Sequence, residues 1–213
     1  MIFTLDLFAV LRASLIFLHV LIFAGAAGFI LLGDIALFGW RRINVALLRL
    51  SARWVSVCLL GLWLSGAAVI GLDTGFDLSQ IARNDKLLAK LTVVAILTLN
   101  GVLLHRFAFP HLVAPLPAAM QSAWGPALLG GISASTWVYA AFIGVAKPFA
   151  ALGYGGLMAL YGLVVSVALT MAMIFIRPRL ARQLNSIRPS QSNVPAAVDY
   201  PACSAERPVC ATA

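Results

Sequence analysis

The chain has three histidines, and His19 is the one placed to do chemistry. It lies inside Ala13–Gly33, a run of 21 residues without Asp, Glu, Lys or Arg. A helix of that length crosses the roughly 30 Å hydrocarbon core of a bilayer at about 1.5 Å per residue. An ionisable side chain near the middle of such a helix is costly, so it usually faces a protein interior and acts there. Three roles are open to it: a cofactor ligand, a proton or ion relay, or a structural hydrogen bond to a Ser, Thr or carbonyl on a neighbouring helix. At about 100° per residue, Arg12 lies roughly 20° from His19 on one side, Ala26 roughly 20° on the other, and Asp34 about 60° away. One face then carries Arg12, His19, Ala26 and Asp34. The small Ala26 leaves room for a ligand or another helix.

A second polar set sits at Lys90, Thr98, Asn100 and His105. Helical spacing spreads these over a wide arc rather than one stripe. Lys90 either snorkels to the interface or supplies a cation to an anionic group such as a haem propionate. Depth limits which groups meet. Counted from the outer ends of the spans, His19 is level with Thr98–Asn100, with Gly61 and with Met158–Tyr161. His105 is deeper, level with Asp34. A haem held between His19 and His105 is therefore not expected, whereas His19 and Met158 are level and a Met thioether is an axial ligand elsewhere. The expected cofactor residues are His19, Lys90 and Met158, with His19 the metal ligand. Arg12, Asp34, Asn100 and His105 form an expected polar core, with Asp34 and His105 paired.

The elements that must position these residues are membrane helices. Of 213 residues, 62% are hydrophobic and 10% charged, against about 25% charged in a soluble domain. The expected class is all-α, a polytopic transmembrane bundle of about five spans, at 7–38, 54–72, 87–109, 127–146 and 148–176. The segment Ile43–Arg53 is expected to be a helical, interfacial lead into the second span. Residues 177–213, rich in Ser, Pro, Asn and Gln, are expected to form a disordered tail. The first eleven residues hold no Lys or Arg, so the first span is expected to remain in place rather than act as a signal peptide.

The net charge of +8 does not point to nucleic acid, because the basic residues cluster at the ends of apolar runs, where they orient helices and meet lipid headgroups. One side receives Arg41, Arg42, Arg49, Arg53, Arg106, Arg177, Arg179 and Arg182. The other receives Arg12, Arg83, Lys86, Lys90 and Lys147. That bias predicts a bacterial inner-membrane protein with its N-terminus out and C-terminus in. Partners are then the lipid bilayer and a further copy or another membrane protein. Clustered methionines that would carry Cu(I) are scarce: Met1, Met120, Met158, Met171 and Met173 include one close pair. Cys203 and Cys210 in the tail fit no usual zinc spacing.

Three stretches carry a resemblance: LHVLIFAGAAGFILLGD, RLSARWVSVCLLGLWLSGAAVI and NDKLLAKLTVVAILTLNGVLLHRFAFPHL. Over about residues 13–112 they resemble the CopD-like copper-resistance membrane domain. They are also similar in outline to HemJ-type protoporphyrinogen oxidases and cytochrome b561-like bundles. In that pattern His19 matches the first-span histidine, and Arg53 with Ser65-Gly66 matches the second span. Lys90 matches the lysine opening the third, and His105-Arg106 its end. Phe23 and Ala24 stand where the pattern carries a tryptophan, and the second-histidine pattern of b561 bundles is not met. The resemblance implies a four-helix bundle able to hold haem b or to pass a metal, and the first expectation is haem b with a redox or haem-related role. The alternatives are copper or small-solute transport, or a membrane scaffold without site chemistry.

Overall fold

The computed structural model describes residues 6–38, 44–108, 124–146 and 148–186. Arg41, Arg42, His111, Pro115, Pro117, Met120, Lys147, Cys203 and Cys210 lie outside the described residues. The described chain is almost wholly helical, without strands. In hydrocarbon every backbone N–H and C=O must be satisfied within its own segment, which leaves helices as the solution for such apolar runs.

The elements are α1 (Leu7–Phe38), α2 (Val45–Thr74), the short α3 (Leu78–Arg83), α4 (Asp85–Leu103), α5 (Trp124–Val145), α6 (Gly153–Met171) and α7 (Arg177–Ser186). A π-helical turn, Leu104–Ala108, extends α4, and a second, Ala172–Ile176, joins α6 to α7 without a break. Five helices are long and apolar enough to cross a membrane, as the apolar runs predict.

The helical lead expected at Ile43–Arg53 forms the first turns of α2, which runs unbroken from Val45; Asn44 caps it by accepting the Leu47 N–H at 3.1 Å, and Arg49 and Arg53 are exposed on its surface. One boundary differs from expectation. The tail does not leave helix at Arg177. Residues Arg177–Ser186 continue the last span, held by buried Leu180 and by the Arg177 guanidinium 4.0 Å above the Trp124 ring. Residues 187–213 lie outside the described part.

The turns are written in capping residues. Gly75 ends α2 at φ 58°, its N–H bonded to Gly71 O, and Phe76 follows at φ 61°. The Phe76 ring folds back over Gly71, where a Cβ would come within 2.7 Å of it. Asp77 caps α3 and Asn84 caps α4, the latter accepting the Leu87 N–H at 3.1 Å. Asp77 lies outside the spans, and its hydrogen bonds from Ser79 hold its carboxyl below the usual range.

Two lobes result. Helices α1 and α2 form a hairpin, and α4, α5 and α6 pack on one another. The second lobe has its own core of Ala89, Val93, Tyr139, Ile143, Leu157 and Tyr161. A smaller cluster, Ala26, Leu62, Leu97 and Trp137, takes one residue from each of α1, α2, α4 and α5 and forms the seam between lobes. Phe23 against Trp137 at 5.5 Å and Trp63 Nε1–H donating to Thr98 Oγ1 at 2.9 Å close that seam.

Candidate functional site

The hairpin sets the register that places His19. Along α1, Arg12 meets Asp73, His19 meets Ser65 and Gly66, Gly25 faces Cys58, and Gly33 faces Ser51. The two helices stay in one antiparallel register over about six turns. Small residues make this possible: a Cβ on Gly33 would lie 3.1 Å from Ser51 Oγ, and one on Gly61 3.3 Å from Ile22. Close backbone approach of this kind is how membrane helices associate without a hydrophobic drive.

His19 is half-buried, and its Nδ1 lies 2.8 Å from Ser65 Oγ. The Ser65 hydroxyl has one proton, directed at Gly61 O at 2.7 Å with Leu62 O at 3.3 Å. Its oxygen must therefore accept from His19, so Nδ1 is the protonated nitrogen. In the neutral ring Nε2 then bears the lone pair. Metal-bound histidines are oriented in this way, with one ring N–H donated to a neighbour and the other nitrogen presented to the ligand. Gly66 packs beside the ring edge, where a Cβ would make ordinary contact with Cε1 at 3.6 Å. Lys90, on α4 in the other lobe, is partly buried and makes no hydrogen bond or ion pair among the described residues.

The other expected site residues fall elsewhere. Met158 packs against the Ala89–Tyr161 core of the second lobe rather than at the seam. Equal depth does not make it a partner of His19, because depth says nothing about rotation around the bundle. Asn100 is buried, but its amide donates to Leu129 O at 3.1 Å and ties α4 to α5. Arg12 is exposed near the start of α1, where Nε and Nη2 grip Asp73 at 2.6 and 2.9 Å. Asp34 and His105 are both exposed and do not pair. His105 Nδ1 bonds Gly101 O of its own helix at 2.9 Å, and Asp34 forms no hydrogen bond or ion pair among the described residues. The expected polar core of Arg12, Asp34, Asn100 and His105 is thus four separate positions. Three face outward near helix ends, where polar heads reach the interface.

Sequence reasoning passed over Asp73 and Trp63. The signal for Asp73 was there: it is the one acid near the end of α2, where an antiparallel partner of Arg12 belongs. Trp63 carried no readable signal, because its partner Thr98 depends on how α2 and α4 are rotated. Among the described residues no three His, Cys, Asp or Glu side chains gather as a metal-binding group. No protein-family model, curated protein or solved structure matches the chain.

Proposed function

We propose that this chain is a multi-pass protein of the bacterial inner membrane that binds haem b at the seam between its lobes, in a redox or haem-related role. The observation that carries the reading is the His19–Ser65 hydrogen bond, which leaves the Nε2 lone pair of the imidazole open. A partly buried Lys90 on α4, with no counter-ion among the described residues, supplies a positive charge from the other lobe. Haem b is an occupant with matching needs, an axial nitrogen for iron and a positive charge for a propionate. His19 would hold the iron, Lys90 would neutralise a propionate, and Ser65 would hold the ring in its tautomer. When bound, the group supplies one-electron chemistry. A one-imidazole site suits haem better than a bare copper ion, which favours clustered soft ligands. The arginine bias places the Arg106 end of the bundle in the cytoplasm.

The test is the absorbance spectrum of detergent-purified full-length protein expressed with haem supplied. A Soret band in the wild type, lost in His19→Ala while membrane insertion is kept, supports the reading. A colourless wild type removes the cofactor. A His19→Ala protein as red as the wild type keeps the cofactor and removes the ligand.

A further inference from the structure

We propose that the groove between α2 and α4 is a binding site for an anionic glycerophospholipid, with an acyl chain lying along the helices and the phosphate at Arg106. The groove, of about 480 Å³, opens sideways toward lipid. Its walls are Leu60 and Trp63 on α2 and Val102 on α4, and its mouth is at Arg106. The Trp63–Thr98 hydrogen bond closes its far end at mid-membrane. From Thr98 to Arg106 it runs about 12 Å at 1.5 Å per residue, the scale of a partial acyl chain. Beyond the Trp63–Thr98 bond, α2 and α4 scarcely touch along this stretch. No water fills such a gap in hydrocarbon, so lipid must.

Charge chooses the headgroup. Arg49, Arg53, Ser56, Leu60 and Trp63 are spaced four, three, four and three apart, which puts them on one face of α2. That face passes from two arginines beyond the mouth, through Ser56 at it, to apolar side chains at mid-depth. On α4 the groove face passes likewise from Thr98 through Val102 to Arg106. Both walls are thus graded in the same direction, basic at the interface and apolar inside, as an anionic amphiphile is graded in reverse. Arg49, Arg53 and Arg106 are exposed, and none makes a hydrogen bond or ion pair among the described residues. The π-helical turn at Leu104–Ala108 sits at this mouth. Such turns are rare and recur at functional sites.

The probe is phosphatidylglycerol brominated in mid-chain, compared with phosphatidylcholine brominated at the same carbons. Each is reconstituted with the full chain, and tryptophan fluorescence is normalised to the unbrominated lipid of the same headgroup. Normalisation cancels quenching by any haem, so the result is independent of the proposed function. Brominated phosphatidylglycerol should quench several-fold more than its phosphatidylcholine counterpart. Trp63→Phe should remove most of that excess, and Arg106→Gln should reduce it several-fold. Gly101→Leu should block it sterically, because Gly101 lines the groove and a Cβ there meets nothing within 4 Å, so the added side chain extends into the space the acyl chain would take. Equal quenching by the two headgroups overturns the proposal. So does an excess that survives both Arg106→Gln and Gly101→Leu, or one that survives Trp63→Phe.

Discussion

In the α4–α5–α6 lobe the buried hydroxyls are bonded inside the lobe. Thr136 donates to Ile132 O at 2.6 Å and so accepts from Tyr161 at 2.9 Å, while the Tyr139 hydroxyl bonds Leu157 O. In the α1–α2 hairpin the polar groups lie at an edge: Arg12–Asp73 at one end, and His19–Ser65 facing the seam. Burial follows the same division. A third of the most apolar stretch of α5 is buried (33%), against 6% of that of α1. The three-helix lobe therefore has a core of its own. The hairpin is held by register and small residues, with His19 half-buried against Ser65 between its two helices. Satisfied polar networks rigidify a fold, whereas an imidazole with one ring nitrogen unused has bonding capacity left.

The largest effect expected from this contrast is on stability. Tyr139→Ala should lower unfolding free energy by about 3–5 kcal/mol, the cost of emptying an aromatic site in a core. Leu64→Ala, on the lipid face of α2 at 66% exposure, should change it by less than about 0.5 kcal/mol. Thermal unfolding in one detergent measures both. Equal shifts would break the division into a packed lobe and a peripheral hairpin.

Next comes the site itself. Ser65→Ala removes the acceptor that fixes the His19 tautomer but leaves the imidazole. Haem should still bind, with affinity reduced roughly tenfold, the lower range for loss of an orienting partner. Titration of the Soret band reads this directly, and unchanged affinity would make Ser65 a packing residue only. Lys90→Ala should weaken retention without altering the axial spectrum.

A smaller effect belongs to the hairpin's end. Arg12→Ala and Asp73→Ala should each lower the detergent melting temperature slightly, with the double variant losing less than the two together. Additive shifts in that cycle would show that the bidentate pair does not act as a unit.

The smallest effect tests the connector between lobes. The Asp77 carboxyl is held below its ordinary range, chiefly by hydrogen bonding to Ser79. Its contribution is present above the usual carboxylate pKa and is lost as pH falls through the depressed value. The wild type should melt slightly higher than Asp77→Ala at neutral pH and level with it in acid. A gap that persists in acid would assign the effect to something other than the ionised cap.

Much of this architecture is legible in the residues. The apolar runs mark five spans. A Ser partner for His19 was among the roles open to a buried histidine. What could not be read is rotation. Met158 matches His19 in depth yet packs in the other lobe, and Asp34 matches His105 yet does not pair with it. Charge also misled at one boundary. The polar composition after Ile176 suggests disorder, but Leu180 and the Arg177–Trp124 stack carry the helix on.

The central claim is that the hairpin and its seam receive the ligand while the three-helix lobe serves as a fixed frame. Hydrogen–deuterium exchange of the full chain, with and without haem b, tests it most directly. Haem should slow exchange in α1 and α2 around His19 and Ser65 and leave the Tyr139–Tyr161 region unchanged, and His19→Ala should abolish the difference. Protection centred on α5 and α6, or an equal response in His19→Ala, would contradict it.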